Sequence, residues 1–310
     1  MKAIEYKEMG SAEVLELVDK PNPEPDANQV LIQAKAAGVN PVDWKLRSGS
    51  IPFSFLFRLK LPFVPGAEVA GVVEAVGKNI SQFKVGDEVV GFHSALEGGA
   101  YAEKVLMKES QCQLKPAGIG FKEGAGAPLA ALTAYQLFKG LPIEGKEVLV
   151  IGGSGGVGHF GVQIARTMGA RVTAVASSSN QSFLTELGAE HVIAYDSSDY
   201  PDSLGNYDIV LDAVARHSAS EMARHINRRG AYLNTLPNPS HFAEAVIRGI
   251  HYRGAMVESK QEDMQTLMGW LTTGQVKTFI DSSFSLSQAA EAHRHSEQGH
   301  ARGKIVITMD

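Results

Sequence analysis

Apolar residues in the first third of the chain recur in short, Val- and Ala-rich runs that stop at Pro, Gly, Asn or Asp: QVLIQAKAAGV (29–39), EVAGVVEAVG (68–77) and GDEVVGF (86–92). Runs of this length between turn formers predict strands, and several in succession predict a β-rich domain. Near Gly118 the pattern changes. Strand-like segments EVLVI (147–151), RVTAVA (171–176), HVIAY (191–195), YDIVLDAV (207–214), GAYLNTL (230–236) and YRGAMV (252–257) alternate with segments of helical period, HFGVQIARTMGA, NQSFLTELGA and SASEMARHIN. Such alternation predicts an α/β fold with a parallel, doubly wound sheet. From Glu258 the pattern returns to helices and one closing strand, GKIVITM, which needs a sheet to join and is expected to go back to the first domain. The expected organisation is a β-rich domain over 1–118, a doubly wound domain over 119–257, and a C-terminal return over 258–310, with no internal repeat or low-complexity linker.

Composition narrows the chemistry. A chain of 310 residues, 44% hydrophobic and 20% charged, is large enough for two cores. The net charge of -5 and the lack of a dense Lys/Arg block argue against nucleic acid or an acidic membrane as the main partner, and favour a small molecule. MKAIEYKEMG has no apolar core of signal-peptide length, and nowhere do about eighteen apolar residues run uninterrupted. A cytoplasmic protein without a membrane span is expected. Cys112 is the single cysteine, so neither an internal disulfide nor a multi-cysteine zinc site is available, in keeping with a reducing compartment. In SQCQLKP it reads as a small, half-buried packing residue.

The clearest motif is VLVIGGSGGVG at 148–158. Gly153, Gly155 and Gly158 fit G-x-G-x-x-G directly after a predicted strand and at the mouth of a predicted helix, with RVTAVA following. The first glycine permits a tight turn, the second lets the backbone approach a pyrophosphate, and the third lets helix and strand pack closely. The helix N-terminus then offers N–H groups and partial positive charge to phosphates. A ligand-free glycine turn is the alternative, which the flanking βαβ pattern disfavours. An NAD site usually carries Asp or Glu about twenty residues on, to bind the ribose 2′-hydroxyl. Here AVASSSN places Ser177, Ser178 and Ser179 there, hydroxyl donors without negative charge, and this points to NADP, although no Arg or Lys sits in the turn.

With these residues on view, the chain resembles the medium-chain dehydrogenase/reductase superfamily, in its zinc-free quinone oxidoreductase branch, over essentially its whole length. The resemblance is carried by AAGVNPVDWKLRSG (36–49), PFVPGAEVAGVVEAVG (62–77), VGDEVVGF (85–92), GGAYAEK (98–104), APLAALTAYQ (127–136), the nucleotide segment and the closing GKIVIT. It implies a GroES-like β-rich catalytic domain, a Rossmann domain inserted after it, a homodimer, and an active site in the cleft between the domains. The zinc alcohol dehydrogenases place a Cys where this chain has Asn40 and a His-Glu pair where PGAEVAG has Ala67 and Glu68. The cysteine-rich zinc lobe is missing too. His293 and His295 point to different helix faces, and His293 and His300 are separated by two turns and by Gly299, so the histidines read as solvated helix residues and no metal site is expected.

Without a metal Lewis acid, exchange between plain alcohols and ketones is disfavoured. Hydride added to a quinone or to the β-carbon of an α,β-unsaturated carbonyl leaves charge spread over a conjugated system, which a few hydrogen-bond donors can stabilise. The expected activity is NADPH-dependent reduction of small hydrophobic quinones or enones. By resemblance, Asn40 sits near the nicotinamide and substrate oxygen, Lys45 lies by the cofactor, and Asp43 with Arg47 forms a buried polar pair that is either catalytic or anchors the loop. Relatives with a tyrosine just after the R-x-G turn have a proton donor that Ser50 and Ile51 do not supply, leaving water or Lys45. Phe53, Phe55 and Phe57 alternate with period two in IPFSFLFRLKLPF, either as core or as an apolar lid.

The resemblance also implies nicotinamide-side contact by Thr133, pyrophosphate contact by Gly155, Gly156 and Val157, and a Tyr195 hydrogen bond to the 2′-phosphate. Backbone contacts by Leu236, Met256 and Val257, and an approach of Gly303 and Lys304 from the return segment, complete the set. Two alternatives stay open: a nucleotide-binding redox sensor or structural protein with little turnover, and an enoyl-thioester reductase.

Overall fold

The computed structural model of the protein describes residues 1–51, 59–201 and 203–309, and Phe53, Phe55 and Phe57 of the expected lid lie outside them. Contacts divide the chain into one unit of Met1–Leu129 with Glu258–Gly274 and the segment from Thr278 onward, and another of Ala130–Val257 with Gln275–Lys277. The first unit opens with β1 (Lys2–Glu5), β2 (Glu16–Asp19), β3 (Gln29–Val39), β4 (Glu68–Val76), β5 (Glu88–Phe92), β6 (Lys104–Lys108) and β7 (Cys112–Leu114). The second carries β8 (Glu147–Ile151), β9 (Arg171–Ala176), β10 (His191–Ala194), β11 (Tyr207–Asp212), β12 (Ile226–Asn234) and β13 (His251–Gly254). The return supplies β14 (Ile280–Ser285) and β15 (Lys304–Thr308).

In the first unit β1 and β2 pair with each other, and a larger sheet runs β14-β15-β3-β4-β5-β7 with β6 also on β3. The long β3 is its spine: Val30 and Leu31 pair with β4 and β6, while Ala36–Val39 pair with β15. Small residues in AAG let three elements meet there. Val30, Ile32, Val69, Val73, Val89, Met107, Ile305 and Ile307 form the core, and Cys112 is fully buried among them. Cys112 is therefore more enclosed than SQCQLKP suggests. The helix Phe121–Gly126 packs on β3, β4 and β15. Its buried Gly124, Ala125 and Gly126 allow that close approach, so residues 119–129, which the hydrophobic pattern groups with the doubly wound domain, lie in the first unit.

The second unit holds six parallel strands in the order β10-β9-β8-β11-β12-β13. Counted from β8 this is the order 3-2-1-4-5-6 of the doubly wound dinucleotide fold, with the reversal between β8 and β11. β11 ends at Asp212 because that buried carboxylate accepts the N–H groups of Val214, Ala215 and His217, turning the chain before the end of YDIVLDAV.

Candidate active site

At the end of β3, Asn40 caps the helix Pro41–Ser48, where proline fits the first position because its missing N–H has no partner there. Asp43, three residues on, accepts the Asn40 backbone N–H at 2.8 Å. The Asn40 side chain turns into the first unit. Its Nδ2 donates to Glu68 Oε1 at 2.7 Å, and its Oδ1 accepts from Lys304 Nζ. Lys304 Nζ also reaches Glu68 Oε1 at 3.0 Å, and Glu68 Oε2 accepts the Leu129 N–H at 2.7 Å. Asn40, Glu68 and Lys304 are all at most 2% exposed. β4 delivers Glu68 across Gly38 of β3, where a Cβ would stand 2.1 Å from Glu68 Oε1. Gly38 is thus the residue that makes room for the carboxylate.

A second buried array continues from Asp43. Tyr101 OH donates to Asp43 Oδ2 at 3.2 Å, and His293 Nε2 lies 3.4 Å from the same hydroxyl. Burial is the main reason the Asp43 carboxyl is pushed up to about 7; the Asn40 N–H lowers it and the Glu68 charge raises it. Burial, then the charge of Arg47, pushes His293 down to about 3, so this imidazole is neutral. Arg47 is 1% exposed and pairs with Glu297. His293 corrects the expectation of solvated helix histidines: with Ala289, Ala292 and Ser296 it forms the buried stripe of the helix Ala289–Gln298. His295 faces outward and pairs with Asp281 at 2.7 Å.

Lys45 lies apart from both arrays. Its ammonium is 5.5 Å from the centroid of the Trp44 ring, makes no hydrogen bond or ion pair among the described residues, and is pushed down by burial. A lysine held this way releases its proton more readily than an exposed one. His93 joins the picture as a residue the sequence pattern passes over. Its backbone N–H donates to Ala67 O at 3.0 Å and its Nδ1 meets Ser94 O at 2.9 Å, leaving a buried Nε2 without a partner among the described residues.

In the second unit, Gly155 caps the helix Gly156–Thr167 directly after β8. A Cβ on Gly158 would stand 1.9 Å from Gly152 O, so the turn closes only around glycine. Near Gly155 such an atom would meet only Gly152 O, at 3.5 Å, and the backbone there is open to a ligand. The first N–H groups of a helix, here those of Gly156, Val157 and Gly158, have no intrahelical acceptor. This cradle fits a pyrophosphate. Ser177, Ser178 and Ser179 follow β9, Tyr195 follows β10, Leu236 follows β12, and Met256 and Val257 follow β13. In a parallel sheet these are all carboxyl ends, so the segments share one edge with the glycines. Tyr195, Leu236 and Met256 are 49%, 48% and 80% exposed, while Thr133 is buried in the helix Pro128–Phe138.

Gly303 and Lys304 belong to the first unit. The Lys304 ammonium is engaged by Asn40 and Glu68, so the side chain is a member of the buried cluster. The Lys304 backbone N–H donates to Phe279 O at 2.8 Å.

Comparison with known proteins agrees with this geometry. The family described as "Alcohol dehydrogenase GroES-like domain" matches residues 26–142, and that described as "Zinc-binding dehydrogenase" matches 187–307. A chloroplast envelope quinone oxidoreductase homolog of Arabidopsis thaliana is 34% identical over 99% of this chain and 98% of its own length. The chain belongs to the quinone oxidoreductase branch of the medium-chain dehydrogenases/reductases. A further family member, an NADPH-dependent alkenal/one oxidoreductase, chloroplastic, from Arabidopsis thaliana, is 34% identical over 99% of this chain and 79% of its own. The solved structure of Escherichia coli quinone oxidoreductase complexed with NADPH superposes with a TM-score of 0.88 at 25% identity, covering all of both chains.

The zinc in the matched description does not fit this member of the family. By the resemblance, Asn40 and Ala67 replace two ligands of the zinc enzymes; in the structure Glu68 already holds an ammonium, whose charge would repel a second cation. Among the described residues no group of three His, Cys, Asp or Glu side chains is arranged to hold a metal. The expected site residues therefore divide by unit. Asn40, Asp43, Lys45, Gly303 and Lys304 are in the first; Thr133, Gly153, Gly155, Gly156, Val157, Gly158, Ser177, Ser178, Ser179, Tyr195, Leu236, Met256 and Val257 are in the second. Glu68 was the missed member of the buried cluster, and Gly38 is the signal that could have found it.

Proposed function

We propose that this protein is a zinc-independent reductase that transfers hydride from NADPH to quinones or α,β-unsaturated carbonyls. The observation that carries the proposal is the Asn40–Glu68–Lys304 cluster, a hydrogen-bonded ion pair in which the one carboxylate is already engaged by an ammonium and an amide. The nicotinamide, when bound, supplies the hydride. The chain's own groups then orient the acceptor and manage its charge. Asn40 has its Oδ1 and one Nδ2 hydrogen engaged, which leaves the second Nδ2 hydrogen to donate to a substrate oxygen. Lys45 supplies the mobile proton or stabilises the enolate, since its ammonium makes no hydrogen bond or ion pair among the described residues and burial lowers its pKa. Asp43 fixes the loop by binding the Asn40 N–H and the Tyr101 hydroxyl.

For the dinucleotide, Gly153, Gly155, Gly156, Val157 and Gly158 hold the pyrophosphate, and Thr133, Leu236, Met256 and Val257 border the nicotinamide. Ser177, Ser178, Ser179 and Tyr195 are assigned to the adenosine ribose. NADPH is supported by relatives named for it or solved with it bound, and by a second strand that ends in serines and carries no acid of its own. The domain assignment that goes with this is a GroES-like catalytic domain, an inserted Rossmann domain and a C-terminal return. No helix among the described residues is long and apolar enough to cross a membrane. A reducing compartment such as the cytoplasm suits the single buried Cys112.

A homodimer is supported by Phe242, Val246 and Ile247, which are 62%, 63% and 82% exposed on the helix Pro239–Arg248, and by the open edge of β13. Light scattering should give twice the chain mass, and a monomer at micromolar concentration would remove that assignment. The test of function is NADPH oxidation with a panel of quinones, alkenals, enones, enoyl thioesters and plain ketones. Turnover of the conjugated acceptors is expected. NADPH binding without turnover of any of them would leave a nucleotide-binding sensor.

A further inference from the structure

Ser178 is not free to greet a phosphate. Its backbone N–H donates to Asp196 Oδ1 at 2.9 Å and its hydroxyl donates to Asp196 Oδ2, also at 2.9 Å. Asp196 thus grips one residue with both carboxylate oxygens. Ser177 and Ser179 hydroxyls lie 2.9 Å apart, and Asn180 Nδ2 donates to Ser177 at 2.9 Å. The serines are tied to one another and to an acid. Between Arg171 and Arg216 the sequence holds no lysine or arginine at all. Arg171 itself is paired with Glu147 at 2.6 Å.

In dinucleotide-binding sheets, an acid at the end of the second strand binds the ribose 2′-hydroxyl of NAD, whereas a nearby arginine accommodates the 2′-phosphate of NADP. Here the second strand of the unit, β9, ends in serine. Asp196 follows the adjacent strand β10, whose Ala194 lies beside Ala176 of β9. The carboxylate therefore reaches the end of the second strand from the neighbouring one. The bonds from the Ser178 backbone and hydroxyl hold this carboxyl below its usual range, so it is ionised at neutral pH.

Resting on the proposed dinucleotide reductase, we propose that Asp196 sets the cofactor selectivity: it supplies from β10 the acid that β9 lacks, admits NADH alongside NADPH, and removes the preference for the 2′-phosphate. A 2′-phosphate carries a charge of about −1.5 to −2 and is repelled by an adjacent carboxylate. To bind Ser178, the phosphate has to displace Asp196, with no cation in the turn to compensate. A 2′-hydroxyl meets no such obstacle, since it can donate to Asp196 as it stands. The two dinucleotides are then used with similar efficiency, and removing one negative charge creates the preference that the serines alone suggest.

The test compares the wild type with Asp196→Asn, Asp196→Arg and, as a control on the exposed face of a neighbouring helix, Glu186→Gln. Calorimetry reads the affinities for 2′,5′-ADP and for ADP, and kinetics read kcat/KM for NADPH and NADH. Like charges at close quarters are costly, so Asp196→Asn should raise 2′,5′-ADP affinity at least about tenfold relative to ADP, with Asp196→Arg raising it further and Glu186→Gln leaving it unchanged. The wild-type kcat/KM ratio should lie within about tenfold of unity and move the same way on substitution. An unchanged 2′,5′-ADP to ADP ratio in both Asp196 variants overturns the inference, as does a wild type that already prefers NADPH by more than about a hundredfold. The reductase assignment fails separately, if both analogues bind as expected yet no acceptor is reduced.

Discussion

Lys304 brings an ammonium against Asn40 and Glu68, and a buried charge is sound only while its partner is present. Lys304→Met leaves the Glu68 carboxylate with neutral donors alone, and should cost about 3–5 kcal/mol in urea unfolding. Adding Glu68→Gln removes the stranded charge and should recover much of the loss; equal loss in the single and double variants would mean that packing, not charge, dominates. Asp43 makes a second claim at this scale. Its unfolded carboxyl ionises near 3.8 and its native one at about 7, so between these values the unfolded chain binds fewer protons and stability falls as pH rises, with no further change from this group above the native value. Asp43→Asn lacks that slope. Wild-type stability relative to the variant should decline from pH 4 to pH 7 by up to about 4 kcal/mol, at about 1.4 kcal/mol per factor of ten in proton affinity; parallel pH profiles would contradict it. Asn40 and Ala67 could be read from the sequence because each replaces a residue type that binds metal. The partners of Lys304 could not, lying 264 and 236 positions away.

Helices and strands set the geometry in which those residues act. The turn from β8 into the helix Gly156–Thr167 leaves no space for a methyl group at Gly158, so Gly158→Ala must open the turn or displace the helix. Dinucleotide binding, followed by quenching of intrinsic fluorescence, should weaken at least tenfold, by about 1.4 kcal/mol or more, while Gly269→Ala, in the open face of another helix, should bind as the wild type does. Binding equal in all three would show that the glycine approach is not needed. The β8 and β9 runs and their connecting helix were legible because a parallel sheet buried on both faces writes itself as continuous apolar sequence. β14 was not: IDSSFS is polar, occupies a sheet edge, and is held through its parallel pairing to β15. The helix Ala289–Gln298 misled for the opposite reason, since its buried stripe includes a histidine that pattern reading assigns to solvent.

At the scale of the whole molecule, a parallel doubly wound sheet and a β-rich unit were visible in the change of hydrophobic period near Gly118, whereas the strand order 3-2-1-4-5-6 came from the structure. The place where one unit gives way to the other was less so, because the helix Phe121–Gly126 looks like the start of an α/β pattern yet packs on the first sheet. The chemistry follows from what the units hold: a glycine cradle for a dinucleotide in one, and in the other a buried ion pair between Lys304 and Glu68. Metal-independent hydride delivery to a conjugated carbon is the central claim. It is tested most directly by dialysing the protein against a chelator, verifying its metal content, and reducing an enone with NADPH deuterated at C4. The account predicts undiminished turnover and a saturated ketone with deuterium at the β-carbon. Loss of turnover that zinc restores, or an allylic alcohol with deuterium at the carbonyl carbon, would contradict it.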